Sequence, residues 1–268
     1  MKNNGITEYF EEVETEEEYN GYFCRIPEII TIAILGSMCG LKNVSQIHQW
    51  ASNDRVSEFL REKFGINHVP CYYWILCMLK MIKTETLNRC FANWVYSFMP
   101  ENAKDMTISL DGKTICSTNR IEKIESPLHI ISAQISELGL TLVQCSTDDK
   151  SNEIPAVQEL LKTLNIKGHV VVADALNCQK ETASIIVKQE ADYLLCVKDN
   201  HPVLKKDIED YVQDSMLQNT MSSISKTEKN YGRIETRTAY VTSQIEWLEQ
   251  RKEWKNLCCI GAIHTEFD

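Results

Sequence analysis

Ile108-Ser109-Leu110-Asp111-Gly112-Lys113 and Val170-Val171-Val172-Ala173-Asp174 decide how this sequence folds. Each is a short run of strand-forming residues that stops on an aspartate. Taken singly, an aspartate in that position is an ordinary turn-former. Two of them, 63 positions apart, raise a question of charge. An ionised carboxylate at the end of a buried strand is costly without a counter-charge, and a bound cation is the economical explanation.

The elements around these runs give them a context. Periodicity predicts strands at Thr107 to Leu110, His129 to Ile135 and Thr141 to Ser146, a meander with a turn at Glu137 to Gly139. Next come a helix at Pro155 to Leu164, a strand at His169 to Ala173, a helix at Gln179 to Gln189, a strand at Tyr193 to Val197 and a helix at Pro202 to Val212. The order β-β-β-α-β-α-β-α is that of an α/β, RNase H-like fold, a mixed sheet with flanking helices. In that fold the first and fourth strands are neighbours, so Asp111 and Asp174 would face each other at adjacent strand ends. Hard oxygen ligands of this kind suit magnesium or manganese, and two ions about 3.5 to 4 Å apart can hold the attacking and leaving oxygens of a phosphodiester. Beyond Gln213 a polar stretch to Ser223 is followed by β-like runs at Arg233 to Val241 and Leu257 to Ile263, a partial β insertion.

Ahead of the strands the pattern is helical. Pro27 can open a helix whose end Gly36 and Gly40 weaken, Asn43 can cap Val44 to Ala51, Pro70 precedes Cys71 to Ile82, and Thr84 can cap a helix through Phe98. Trp74, Phe91, Trp94 and Phe98 form an aromatic stripe that reads as core, with base stacking as the alternative. The expected division is an acidic arm at 1–22, an all-helical region at 23–104 and an RNase H-like domain at 105–268.

The formal charge of −10 excludes a chain that grips nucleic acid over its whole surface, so any DNA contact must be local. Much of the excess lies in Glu8, Glu11, Glu12, Glu14, Glu16, Glu17 and Glu18, read as a solvated or frayed arm. The longest largely apolar run, Ile29 to Leu35, is far short of the roughly 20 residues of a membrane span, and Met1 to Phe10 lacks the pattern of a signal peptide. A cytoplasmic protein is expected. Its 11 cysteines show no C-x-x-C pair, which favours reduced thiols over a zinc or redox site, and adjacent Cys258 and Cys259 read as part of a buried strand. His129 and His169 read as packed or hydrogen-bonded, because the histidines have no metal-ligand spacing.

Five ordered stretches then make a resemblance specific: Asp111-Gly112-Lys113-Thr114; Lys150-Ser151-Asn152-Glu153-Ile154; Asp174-Ala175-Leu176-Asn177-Cys178-Gln179; Asp192-Tyr193 with Lys198-Asp199-Asn200; and Gly232-Arg233-Ile234-Glu235-Thr236-Arg237. Over roughly residues 23 to 264 the chain resembles the ISAs-type, H-repeat-associated transposases of the DDE class. The resemblance implies that Asp111 and Asp174 are the first two acids of a catalytic, metal-binding DDE triad that cuts DNA at element ends and joins the 3′ hydroxyl to a target. Magnesium or manganese, as a two-metal site in a complete enzyme, and DNA are the implied cofactor and partner. A homo-oligomer, or pairing with full-length transposase subunits, is the further partner expected.

The family's third acid is a glutamate on a helix with a His-Trp and Ile-Glu-Asn pattern. No such pattern occurs before Asp268, so the expectation is a truncated and inactive transposase, with a non-catalytic DNA-binding or subunit-pairing regulator as the alternative. An unrelated metal-dependent hydrolase of the same fold is a third reading. Glu235 belongs to a different motif and is not taken as the missing ligand. The family's usual arginine and glutamine are replaced here by Cys116 and His201, changes expected to weaken DNA contacts. Lys113 and Lys198 are candidates for phosphate contact or for balancing local carboxylates. Arg233 and Arg237, on one strand face, could track a DNA backbone or lie on a solvated face. Asn152 and Glu153 have a capping explanation ahead of a catalytic one.

Overall fold

A computed structural model describes residues 5–17, 24–99, 105–115, 128–147, 152–230 and 233–267. Glu18, Cys116, Lys150, Ser151, Gly232 and, of the expected boundary near Pro100 to Asp105, all but Asp105 lie outside the described residues. The chain divides into two compact units, 1–103 with 114–147, and 104–113 with 148–268. Residues 114–147 therefore group with the helices rather than with the rest of the strand-rich half. Strand β1, Thr107–Ile115, begins in the second unit and ends in the first.

The first unit holds α1 (Ile6–Tyr9), α2 (Ile26–Met38), α3 (Val44–Ala51), α4 (Asp54–Phe64), α5 (Tyr72–Met81) and α6 (Thr84–Tyr96). Helix α2 starts where Pro27 fixes the backbone and the Glu28 carboxylate accepts from the Arg25 backbone N–H at 3.0 Å. Asn43 caps α3 through Gln46 N at 2.9 Å, as its position predicts. Gly36 does not weaken the end of α2. It is buried inside that helix, and a Cβ there would stand 2.9 Å from Ile47 Cγ1, so the glycine lets α3 approach closely. Helix α4 was not foreseen; Asn53 accepts from Arg55 N at its start and Gly65, at φ 69°, ends it. Thr84 is the first residue of α6 rather than its cap.

The frayed arm is corrected. Phe10 is fully buried with Val13, Ile29, Ile30, Ile75 and Met78, and Thr15 bridges to Ile82. Glu11, Glu12 and Glu14 pair with Arg25, Arg89 and Lys83, and the Lys83 ammonium lowers the Glu14 carboxyl below its ordinary value. The glutamate run is thus the charged edge of a packed segment. Trp74, Phe91 and Trp94 pack against the same core, with Phe98 edge-on to Trp94 at 5.3 Å. Strands β2 (Leu128–Ile135) and β3 (Leu140–Thr147) form an antiparallel hairpin, in which His129 is buried and its Nδ1 lies 3.0 Å from Thr114 Oγ1.

The second unit carries α7 (Glu153–Thr163), β4 (Val170–Ala173), α8 (Lys180–Lys188), β5 (Asp192–Leu195), α9 (Pro202–Gln213), α10 (Ser215–Gln218), β6 (Ser222–Asn230), β7 (Arg233–Thr242) and β8 (Ile260–Phe267). Strands β1, β4 and β5 are parallel neighbours, with Ile108, Leu110, Val171 and Ala173 buried. The whole sheet runs β3-β2-β1-β4-β5, the mixed sheet of an RNase H-like fold. The β insertion is a three-stranded antiparallel sheet, β6-β7-β8. Its first strand, β6, lies mostly just beyond the polar stretch expected to end at Ser223, at 224–230, where Ser, Lys, Thr and Glu along a largely exposed ribbon hide the apolar signal. Cys258 and Cys259 are exposed and precede β8, which corrects their assignment to a buried strand. No helix among the described residues is long and apolar enough to cross a membrane.

Candidate metal centre

Parallel pairing of β1 with β4 runs Thr107↔Val170 through Leu110↔Ala173. Asp111 and Asp174 each follow that last pair by one residue, so both lie at the same level of the sheet; Asp174 is just past the end of β4, whereas β1 continues through Asp111 to Ile115 rather than stopping at Leu110 as its sequence suggests. The desolvation argument made from sequence does not apply to them, since both residues are exposed. The paired residues Ile108, Leu110, Val171 and Ala173 are buried but the sheet opens to solvent from Asp111 and Asp174 onward, and what accumulates there is like charge rather than a desolvated ion.

The loop that follows β4 is fixed from three sides. Asn177 donates to Asp174 Oδ1 twice, from its backbone N at 3.3 Å and from its side-chain Nδ2 at 3.1 Å. Asn200 Nδ2 donates to the Ala175 carbonyl at 2.6 Å. His201 Nε2 lies 2.7 Å from the Cys178 carbonyl, which can only accept, so that ring nitrogen carries a proton. The His201 ring also meets Trp254 edge-on at 5.2 Å. His201 is therefore a loop anchor. Burial, with the neighbouring Cys196, pushes the Cys178 thiol up to about 11, which makes it a packing residue rather than a nucleophile.

Glu153 is not a cap. The Asn152 side chain makes no capping bond, and Glu153 opens α7 with its side chain buried at 3% exposure, accepting from Asn177 Nδ2 at 3.0 Å. Sequence reasoning had no means of finding this, because a glutamate in a first helical turn is common and its burial depends on a residue 24 positions away.

The basic candidates are scattered in their present roles. Lys113 Nζ lies 3.3 Å from Asp111 Oδ2, an exposed pair. Lys198 is exposed and its backbone N donates to Asn200 Oδ1. Arg237 is bound to Glu235 at 2.6 Å. Arg233 opens β7, and its side chain lies outside the described residues. His169 is buried, with Nδ1 unpartnered among the described residues.

Two adjacent carboxylates are hard oxygen donors of the type a divalent cation takes, and Asn177 orients one of them. Among the described residues no group of three His, Cys, Asp or Glu is gathered to hold a metal. The donor set thus fits part of a magnesium or manganese site.

Two family descriptions match the chain: DDE_Tnp_1-associated over residues 7–95 and Transposase DDE domain over residues 128–255. The Escherichia coli (strain K12) protein described as "H repeat-associated putative transposase YbfD" is 32% identical over 215 residues, covering 80% of this chain and 84% of that protein. The chain belongs to the DDE transposase family. A longer relative in the same strain, "H repeat-associated putative transposase YhhI", is 31% identical over 87% of this chain, which spans 62% of its length. "Putative protein YbfL" is 32% identical, again with 62% of its length spanned. A solved piggyBac transposase synaptic complex with hairpin DNA aligns at 8% identity and a TM-score of 0.34, covering 88% of this chain and 53% of that one, a likeness too loose to carry an argument. Divalent metal is the general cofactor of DDE transposases.

Proposed function

We propose that this chain is the portion of a bacterial insertion-sequence transposase that carries the first two acids of the DDE triad, Asp111 and Asp174, as ligands of magnesium or manganese. The observation that carries the reading is the parallel register, which ends both carboxylates one residue beyond Leu110↔Ala173. Their shared charge is the repulsion a cation relieves. Bound there, the cation supplies Lewis-acid polarisation of a DNA phosphodiester and lowers the pKa of an attacking water.

The chain's own residues orient and contact. Asn177 holds Asp174 Oδ1 with two donors, which limits rotation of that carboxylate. Lys113, beside Asp111, and Lys198 are assigned to backbone phosphates near the cation, and Arg233 and Arg237 to a more distant stretch of the same strand of DNA. Cation and DNA binding are assigned to these residues. Insertion-sequence ends are the DNA proposed.

Titration of the chain with manganese, read calorimetrically, tests this. Weak binding that falls at least about tenfold in Asp111→Ala and in Asp174→Ala is expected, the scale of losing a ligand or its outer-shell support. Unchanged binding in both variants contradicts the assignment.

A further inference from the structure

We infer that Glu153 is a positioning residue for Asp174, acting through the side-chain amide of Asn177. The inference rests on Asp174 being a cation ligand. Asn177 is 2% exposed, and its Nδ2 donates to Glu153 Oε1 at 3.0 Å and to Asp174 Oδ1 at 3.1 Å. An amide nitrogen has two hydrogens, and here each points to a carboxylate oxygen. The opposite orientation of the amide would set its oxygen against both carboxylates, so the charge on either side fixes which way it faces.

That orientation has a cost that purely structural packing would avoid. Asn177 Oδ1 is buried without a partner among the described residues. Glu153 is itself a carboxylate enclosed at 3% exposure where an apolar side chain would fill the space without polar demands. An arrangement that encloses an acid and leaves an acceptor unsatisfied, while directing the donor end of the amide at one exposed oxygen, is what holding that oxygen requires. Both bonds to Asp174 fall on Oδ1, and Oδ2 takes no hydrogen bond among the described residues. Oδ1 is thereby oriented and Oδ2 left for a ligand, the usual division between an inner ligand atom and the outer partner that aims it.

The test is a manganese titration of the full chain and of Glu153→Leu, Glu153→Gln, Asn177→Ala and the double variant Glu153→Leu/Asn177→Ala, with thermal unfolding of each measured without metal. Glu153→Leu is expected to weaken binding about tenfold. Glu153→Gln keeps an acceptor for Asn177 and is expected to restore most of the affinity. The double variant should bind no more weakly than Asn177→Ala alone, because the effect travels through that amide. Wild-type affinity in Glu153→Leu overturns the inference. So does a loss in Gln equal to that in Leu and proportional to the fall in Tm, which would mark a structural role. In the unmodified chain, the Asn177 side-chain amide proton resonances are expected to move on addition of magnesium, a readout that needs no variant to fold; fixed resonances overturn the inference. If Asp174→Ala binds manganese like the wild type, the ligand assignment itself has failed, an outcome separate from an inert Glu153→Leu beside a disabled Asp174→Ala.

Discussion

The shared level of Asp111 and Asp174 was legible in the order of elements, but the end of β1 was not, because the strand continues past Asp111 through the polar Gly112-Lys113-Thr114 to Ile115. Glu153 and Asn177 were legible only as letters in motifs. Their relation depends on α7 and the loop after β4 meeting, and no local pattern encodes that. Cys178 belongs to the same loop, and its burial gives a chemical consequence. With the thiol raised to about 11, roughly one molecule in a thousand carries the thiolate at pH 8, against a substantial fraction for an ordinary cysteine of pKa about 8.5. In iodoacetamide labelling of the native chain at pH 8, the exposed Cys39, Cys71, Cys196, Cys258 and Cys259 are expected to react well before Cys178. Cys178 should be modified only on unfolding. Native labelling at the rate of Cys39 would refute its burial.

Among the elements, those with strong periodicity or clear caps were read within a few residues of where they lie: α2, α3, β2, α8 and α9. Helix α4 escaped although Asn53 and Gly65 bracket it, because only Leu60 is fully buried, with Val56 and Phe64 partly buried beside it, on a helix otherwise rich in exposed charge. The N-terminal segment misled in the opposite way. Seven glutamates outweigh two apolar residues in any average, yet Phe10 and Val13 are the residues that reach the core. In the β insertion, Gly261 of β8 sits opposite Val241, and a Cβ there would lie 2.6 Å from the Tyr240 carbonyl oxygen of β7. That neighbour is backbone and cannot turn away, so the strand pair itself must shift. Gly261→Ala is expected to destabilise the chain by about 1–3 kcal/mol, the scale of overpacking, measured by urea denaturation. An unchanged midpoint would mean that β8 has room to yield.

Over the whole molecule, the charge of −10 narrows what the chain can do with nucleic acid. Contact must come from few, placed cations, and Lys113, Lys198, Arg233 and Arg237 are those that the DDE reading assigns. Lys113 and Arg237 are paired with Asp111 and Glu235, so phosphate binding there would compete with pairs already made, while Asp199, next to Lys198, is paired with Lys205 instead. The RNase H-like order was legible at this scale because each βα step carries its own signal. The division of the chain at 104–113 and 114–147 was not, since one continuous strand serves both units.

The account depends on Asp111 and Asp174 holding one cation site together, and iron-directed cleavage of the unmodified chain reads this without a substitution. Ferrous iron, standing in for magnesium, generates short-lived radicals with ascorbate and peroxide that cut the polypeptide beside the metal. The expected result is two cleavage zones, one around residue 111 and one around residue 174, that appear at the same iron concentration and are suppressed together by excess magnesium. Cleavage near one residue alone, or at sites remote from both, would contradict it.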